Sequence, residues 1–181
     1  KIQSLIEGAE NALIVCNTVK KAIDVWRQLL DLGHKPNLVH SRFTPPDRDI
    51  HENRVTSFVG KLGTRKGLAV TTQVCEAGLD ISADLLITEC APADALVQRS
   101  GRCARWENQE GEIYIFKHDS YLPYDQKIID ITWAYLQNNV NIDFANWDQT
   151  TNLVDALPYS IDDVSARESL NELYEATLYA D

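Results

Sequence analysis

The sequence contains no methionine, not even as its first residue, and we therefore expect a piece of a longer polypeptide. It also lacks any hydrophobic run close to the ~20 residues that a membrane-spanning helix needs. Its start lacks the basic-then-apolar order of a secretory signal peptide. These absences predict a cytoplasmic protein that has no membrane partner.

Cysteine pairs with the spacing of a metal site are absent as well. The four cysteines, Cys16, Cys75, Cys90 and Cys103, are widely separated, and the four histidines are scattered along the chain. Zinc sites and disulfide frameworks use closer partners. We therefore expect the cysteines to be small buried residues, and we expect this chain itself to bind no metal.

A phosphate-binding loop of the form G-x-x-x-x-G-K-[ST] is also missing. Residues 60–67 (GKLGTRKG) have the composition of such a loop but not its order. In addition, no acidic box of the Asp-Glu-x-x type follows a strand, where it would hold Mg²⁺. Because both elements are absent, this chain alone is not expected to hold a nucleotide as P-loop proteins do.

The net charge of −10 comes entirely from the last third of the chain. Residues 1–118 carry 15 Lys and Arg against 15 Asp and Glu, whereas residues 119–181 carry 2 against 12. An acidic chain repels nucleic acid when its charge is spread evenly. Here the first 118 residues are neutral, so local clusters of cations in that region can still bind phosphate.

Short hydrophobic runs alternate with amphipathic segments over residues 1–118 and predict an α/β fold. The runs expected to form strands are 12–17, 37–40, 67–72, 84–89 and 112–117. The segments expected to form helices between them are 18–32, 45–59 and 92–106. The strand runs are almost continuously apolar, as in strands that are buried on both faces of a parallel sheet. The pattern therefore predicts an open, doubly wound parallel sheet with flanking helices.

The acidic residues 119–181 are predicted to form a mainly helical extension or the start of a further domain. One helix is expected over residues 124–138, and the residues from 138 to 159 show no clear period. A second, amphipathic helix is expected from Ser160 to Leu178, with an apolar stripe along one face.

Residues 94–106 (DALVQRSGRCARW) concentrate three arginines. In a helix that runs through this segment, Gln98, Arg102 and Arg105 stand at i, i+4 and i+7 on one face, whereas Arg99 points elsewhere. Two guanidinium groups beside a glutamine form a row of donors that suits phosphate oxygens. The alternative is a solvated basic face that has no ligand.

Polar residues follow two of the predicted strands. In residues 70–82 (VTTQVCEAGLDIS), a strand ends in Thr71 and Thr72, and a turn then leads to Gly78 and Asp80. Hydroxyls and amides at a strand end suit a sugar–phosphate backbone, and a carboxylate suits a ribose hydroxyl or an arginine. The alternative is a strand with polar capping residues.

A second strand end of this kind lies in residues 37–48 (NLVHSRFTPPDR). Ser41 and Arg42 follow the strand, and a helix is predicted to begin at Pro45, since proline is favoured at the first helical position. The N-terminus of a helix beside a cation and a hydroxyl suits a phosphate group.

These three stretches resemble, in their order, the C-terminal RecA-like domain of superfamily-two helicases. Residues 98–105 (QRSGRCAR) match the Q-R-x-G-R-x-x-R signature of that superfamily at every fixed position. The segment TTQVCEAGLDIS is similar to its T-x-x-x-x-x-G-x-D motif. The segments NTVKKA, HSRFTPPDR and TECAPADALVQRSGR are further similar to the CRISPR-associated helicase–nuclease of type I interference systems. The resemblance extends over residues 1–118.

The resemblance implies a role for each motif. Motors of this class bind ATP between two RecA-like domains, and Arg102 and Arg105 would be arginine fingers for the γ-phosphate, with Gln98 ordering the phosphate or the attacking water. The residues implied for nucleotide binding are Gly78, Asp80, Arg102 and Arg105. The residues implied for holding the backbone of a nucleic-acid strand are Ser41, Arg42, Thr71 and Thr72.

The resemblance also implies cofactors and partners. ATP with Mg²⁺ would be held mainly by an N-terminal RecA-like domain that this chain lacks, so the chain alone is expected to be inactive. The implied partners are that domain, single-stranded DNA and a CRISPR RNA-guided surveillance complex. Three alternatives are a domain of another superfamily-two DNA or RNA helicase, a non-catalytic RecA-like binding or regulatory module, and a phosphate-binding metabolic enzyme.

Overall fold

The computed structural model of the chain describes residues 2–59, 66–77, 79–106 and 108–157. The strands are β1 (Asn11–Val15), β2 (Asn37–Val39), β3 (Gly67–Thr71), β4 (Leu85–Glu89) and β5 (Glu112–Phe116). The helices are α1 (Ile2–Gly8), α2 (Val19–Asp31), α3 (Pro45–Val59), α4 (Ala93–Ser100), α5 (Gln126–Asn138) and α6 (Trp147–Asp155). Strands and helices alternate from α1 to β3, a 3₁₀ turn at Gln73–Cys75 lies between β3 and β4, and two consecutive helices, α5 and α6, follow β5. The helix predicted over Ser160–Leu178 lies outside the described residues.

The five strands form one parallel sheet in the order β2-β3-β1-β4-β5. The chain enters the sheet at the central strand β1, places β2 and β3 on one side of it, and then crosses to place β4 and β5 on the other side, as in doubly wound sheets. Each of the five strand predictions is confirmed. The central strands β1, β3 and β4 are buried on both faces, which explains their continuous apolar runs, whereas the edge strand β5 is partly exposed.

Alternate side chains of the central strand pack on opposite faces of the sheet, as the two-residue period of a strand requires. Leu13 and Val15 lie in one hydrophobic core with residues of α3, including Val55. Ile14 and Cys16 lie in the other core with residues of α1 and α2. The two cores confirm the predicted layers of helix, sheet and helix.

All four cysteines are buried as free thiols, which confirms the expectation that they act as small core residues. Burial raises the pKa of the Cys16 and Cys75 thiols to about 12 and that of the Cys90 and Cys103 thiols to about 11. The reactive thiolate form is therefore scarce at neutral pH.

The described part of the acidic extension packs against α4. Leu96 of α4 lies in a cluster with Leu136 of α5 and Phe144, and Ala93 lies in a cluster with Leu153 of α6. Helix α6 was not predicted, since its sequence is mostly polar, whereas α5 confirms the helix expected over residues 124–138. The division of the chain at residue 118 stays a prediction. None of the helices in the described residues is long and apolar enough to cross a membrane.

We predict that Gly67→Ala destabilises the fold. A Cβ atom at Gly67 would overlap the ring of Phe58, a residue of α3 that is buried in the core against the sheet. Overpacking of this kind costs about 1–3 kcal/mol, and urea denaturation would measure the loss. Gly8→Ala is the matched control, because nothing lies within 4 Å of a Cβ atom there. An unchanged unfolding midpoint for Gly67→Ala would contradict the prediction.

Candidate functional site

The arginine-rich segment is not one continuous helix. The structure ends α4 at Ser100, with Gly101 as its C-cap, so the prediction of a helix over 92–106 is wrong beyond that point. Arg102 and Arg105 therefore lie in the turn after the helix and do not share a helix face with Gln98. The predicted alignment of these three residues at i, i+4 and i+7 is accordingly wrong.

A long-range pairing explains why the helix stops. Ala83 and Cys103 form a parallel β-bridge. The N–H of Ala83 donates to the carbonyl of Arg102, and the N–H of Ala104 donates to the carbonyl of Ala83, both at 2.9 Å. Ala104 adopts a φ of 46°, in the left-handed region that non-glycine residues rarely occupy. Contacts with the segment before β4 thus replace the hydrogen bonds of a further helical turn.

The turn lies toward the amino-terminal end of the sheet. The residue that follows Ala83, Asp84, donates its N–H to the carbonyl of Asn11, the first residue of β1. The backbone of this turn thus lies away from the carboxyl ends of the strands, where ligands of doubly wound sheets gather. Residues 102–105 (RCAR), which we call the arginine turn, form a group separate from the residues at the carboxyl ends of β2 and β3.

Arg102 is partly committed to backbone carbonyls. Its Nε donates to the carbonyl of Cys75 and its Nη2 to the carbonyl of Glu76, both at 2.7 Å. Burial, followed by the nearby charge of Arg105, lowers the pKa of Arg102. The guanidinium therefore fixes the segment after β3 to the arginine turn and keeps only part of its donor capacity for a ligand.

Arg105 is the more available of the two predicted fingers. Its side chain is 39% exposed, and its Nε lies 3.6 Å from Oδ1 of Asp80, whose side chain is 69% exposed. An ion pair this exposed stabilises a fold by about 0–1 kcal/mol, so Arg105 can exchange this partner for a phosphate at little cost. The structure thus brings Arg102, Arg105 and Asp80 together on one surface.

Two further residues, Gln98 and Gly78, were predicted to belong to this site. Gln98 is exposed on α4, before the helix ends. Gly78 lies outside the described residues. The roles assigned to both residues stay predictions.

The residues predicted to hold a nucleic-acid strand divide into an exposed and a buried pair. Ser41 and Arg42 are exposed in the loop after β2, and Val39 of β2 is in register with Thr71, the last residue of β3. The structure thus brings both pairs to the carboxyl ends of adjacent strands. Thr71 and Thr72, however, are each only 2% exposed, so their hydroxyls are not accessible to a strand in this conformation.

Stacked rings fix the loop that carries Ser41 and Arg42. The ring of Phe43 stacks between His40 and His51, with both centroid separations at 4.2 Å. The N–H of Arg42 donates to Nδ1 of His40 at 3.3 Å. Burial lowers the pKa of His40, which favours the neutral ring that can accept this bond.

Arg99 points away from the predicted face, as expected, but into the protein, where it is fully buried. Its Nε donates to Oε1 of Glu76 at 2.8 Å. Its Nη1 donates to Oδ1 of Asn17 at 3.0 Å and to Oγ1 of Thr88 at 2.9 Å. These contacts join the residues that follow β1 and β3 to the end of β4. We call Arg99 and these partners the Arg99 network.

The network extends into the acidic part of the chain through Tyr124. Nη2 of Arg99 donates to the Tyr124 hydroxyl at 3.1 Å, and Nε2 of Gln73 lies 3.3 Å from the same oxygen. Burial raises the pKa of Tyr124. The hydroxyl therefore stays protonated at neutral pH and links the segment before α5 to the 3₁₀ turn.

Sequence reasoning missed the Arg99 network, although one signal was present. Helical spacing puts Arg99 one turn after Ala95 and Leu96, which are apolar and buried in the structure. An arginine on the apolar face of a helix needs buried partners. Asn17 is the last residue of the predicted strand 12–17, and Glu76 lies in the turn that follows the predicted strand 67–72, so both are polar residues close to the ends of strands.

Among the described residues, no group of three His, Cys, Asp or Glu side chains could hold a metal ion. The basic groups near Asp80 instead suit an anion. The side chains around Asp80 do not suit the binding of Mg²⁺, whereas the two arginines of the arginine turn suit the binding of a phosphate group.

The five-stranded parallel sheet with its flanking helices has the fold of the C-terminal RecA-like domain of superfamily-two helicases. Residues 8–108 match the family model of the C-terminal part of the CRISPR-associated nuclease/helicase Cas3. The chain belongs to this Cas3 C-terminal family.

Relatives and solved structures agree with this assignment. The chain is 45% identical over 103 residues to the CRISPR-associated endonuclease/helicase Cas3 of Escherichia coli, a match over 54% of this chain and 12% of that protein. The crystal structure of T. fusca Cas3 with ADP is 25% identical, with a TM-score of 0.70 over 94% of this chain and 23% of that one. A chain of a pre-nicking CRISPR RNA-guided surveillance complex is 24% identical, with a TM-score of 0.66 over 95% of this chain and 24% of that one. The chain thus spans a quarter or less of the length of these proteins.

We predict that Arg99→Ala strongly destabilises the fold, because it leaves Glu76 and its neighbours without their buried cation. Breaking a buried pair in this way costs about 3–5 kcal/mol. Arg99→Lys should recover only part of this loss, since an ammonium group lacks the fork of donors that the network uses. Urea denaturation measures both variants.

Arg27→Ala is the matched control for this prediction. Arg27 is exposed in the second half of α2, and an exposed substitution of this kind changes stability by about 0.5 kcal/mol or less. Equal stabilities for Arg99→Ala and Arg27→Ala would contradict the importance of the network.

Proposed function

We propose that this chain is the second motor domain of an ATP-dependent helicase that moves along single-stranded DNA in type I CRISPR defence. The observation that carries the proposal is the arginine turn, in which Arg105 is exposed beside Asp80 while Arg102 is bound to the segment after β3. The chain has no phosphate loop of its own, so these cations are suited to a phosphate that another domain holds.

Arg105 is the residue that we propose to neutralise charge on the γ-phosphate of ATP. ATP supplies the bond that is hydrolysed, and a guanidinium group near the transferred phosphate stabilises the charge that grows in the transition state. Arg102 would contact the same phosphate with the donors that its two carbonyl contacts leave. Gln98 would help to order the phosphate or the attacking water.

Asp80 is proposed to bind the nucleotide sugar or to keep Arg105 in position. Its ion pair with Arg105 favours the second role in the absence of nucleotide. Mg²⁺ and most of the nucleotide would be held by the N-terminal RecA-like domain, because the described residues offer no group that could hold a metal ion.

Ser41 and Arg42 are proposed to hold the phosphate backbone of the DNA strand. They are exposed at the carboxyl end of β2, in a loop fixed by the stack around Phe43. Thr71 and Thr72 would join this contact after a movement that exposes them. Opening and closing of the two domains on ATP would then shift the grip along the strand.

The proposed partner of the whole protein is a CRISPR RNA-guided surveillance complex. This part of the proposal is supported by the Cas3 family membership and by the similarity to a chain within such a complex. The family membership favours this function over the metabolic enzyme and the stand-alone module considered from the sequence.

We predict that Arg105→Ala reduces DNA-stimulated ATP hydrolysis by at least about a hundredfold in a full-length helicase that contains this chain. An arginine finger contributes about 10³–10⁵ in rate, and the exposed position of Arg105 leaves its loss uncompensated. A phosphate-release assay with saturating single-stranded DNA measures the effect.

Arg27→Ala supplies the control for the loss of one positive charge, and it should retain wild-type turnover. If Arg105→Ala also hydrolyses ATP at the wild-type rate, Arg105 is not the finger.

We predict that Arg42→Ala weakens single-stranded DNA binding and lowers its salt dependence. Each phosphate contact on a single strand contributes about 0.7 to the slope of log affinity against log salt concentration, so the slope should fall by about that amount. Fluorescence anisotropy over a series of salt concentrations measures the slope. Arg54→Ala, at an exposed arginine of α3, should leave it unchanged, and equal slopes for the two variants would refute the contact.

A further inference from the structure

We propose that Ser82 and Gln109 are positioning residues that hold Arg105 in the orientation needed for ATP hydrolysis. The inference rests on the proposed function, because it assigns to these residues the task of presenting the finger. Neither residue belongs to the sets predicted from the sequence, and neither carries a charge.

Ser82 forms the central contact of this arrangement. Its hydroxyl accepts the N–H of Arg105 at 2.9 Å and donates to Oε1 of Gln109 at 2.6 Å. The side chain of Ser82 thus binds the backbone of Arg105 directly, while the side chain of Arg105 can still change its position.

Ser82 is itself fixed to the core of the domain. It is 4% exposed, and its N–H donates to the carbonyl of Val59, the last residue of α3, at 2.7 Å. A hydroxyl on such a fixed backbone is a rigid acceptor. The bond from the Arg105 N–H to this hydroxyl therefore adds to the contacts of Ala83 and limits movement of the arginine turn at Arg105 itself.

Gln109 closes the other side of the turn. Its Oε1 also accepts the N–H of Trp106 at 3.1 Å, and its own N–H donates to the carbonyl of Trp106 at 3.1 Å. Oε1 of Gln109 thus accepts hydrogen bonds from both the Ser82 hydroxyl and the N–H of Trp106, the residue after Arg105. Ser82 and Gln109 act as a unit, because the Ser82 hydroxyl donates to Oε1 of Gln109 while it accepts the N–H of Arg105.

The backbone before Arg105 needs this support. Ala104 has a φ of 46°, a conformation that persists in a non-glycine residue only where the surroundings enforce it. The N–H of Ala104 is held by the carbonyl of Ala83, and the next N–H, that of Arg105, is held by Ser82. Without the hydroxyl, the contact of Arg105 that remains among the described residues is the exposed ion pair of its side chain with Asp80.

The test uses a full-length helicase that contains this chain, with the variants Ser82→Ala, Gln109→Leu and the double variant. We expect Ser82→Ala to lower kcat for DNA-stimulated ATP hydrolysis by about ten- to a hundredfold, because a small displacement of a catalytic group costs rates of this order. The KM for ATP and the thermal melting curve should change little. The double variant should be no slower than the slower single variant, because the two residues act as a unit.

Two further variants serve as rescue and control. Ser82→Thr keeps the hydroxyl and should restore most of the kcat that Ser82→Ala loses. Ser57→Ala removes a hydroxyl that donates to the carbonyl of Arg54 on the exposed side of α3, and it should turn over ATP as the wild type does.

Amide hydrogen exchange separates this proposal from the function on which it rests. In Ser82→Ala, the amide of Arg105 should exchange faster than in the wild type, whether or not ATP is hydrolysed. An unchanged exchange rate overturns the proposal. A normal kcat in Ser82→Ala also overturns it when Arg105→Ala is inactive. A normal kcat in Arg105→Ala removes the proposed function and, with it, the catalytic part of this inference.

Discussion

The buried guanidinium of Arg99 is the contact on which the arrangement of this site depends. A cation without solvent is tolerated only when its donors are satisfied, and Arg99 meets this requirement with groups from four different segments. It binds Asn17 after β1, Glu76 after β3, Thr88 in β4 and Tyr124 before α5. The residues after these strands are therefore held to α4 and to one another.

This network also determines where the arginine turn can lie. Arg99 holds the side chain of Glu76, while Arg102, three residues later, binds the carbonyl of the same residue. Arg99 thus binds the side chain of Glu76, and Arg102 binds the backbone of the same short segment. A shift of that segment at the proposed DNA contact near β3 would be transmitted to the arginine turn, and this would couple the proposed strand contact to the proposed ATP hydrolysis.

The sheet could be predicted from the sequence, because strands buried on both faces leave continuous apolar runs such as that of β1. The end of α4 could not, since it is decided by the pairing of Cys103 with Ala83, twenty positions earlier in the chain. Helical spacing alone therefore aligned Gln98 with two arginines that lie beyond the helix. The signature motif does not depend on this alignment, because it records residue types and not the backbone that carries them, and the roles that it implies for these residues stay predictions.

The two signature arginines are unequal, and the inequality follows from their partners. Arg102 donates two hydrogen bonds, to the carbonyls of Cys75 and Glu76, both at 2.7 Å. Moving the Arg102 side chain would leave these two carbonyls without a donor, which costs free energy. Arg105 has only an exposed carboxylate at 3.6 Å, which water replaces easily. A rigid arginine suits the task of holding two motifs in register, and a mobile one suits a phosphate that is present in only part of a motor cycle. The backbone of Arg105 is nevertheless fixed by Ser82, so the mobility is confined to the side chain, where the proposed role of a finger requires it.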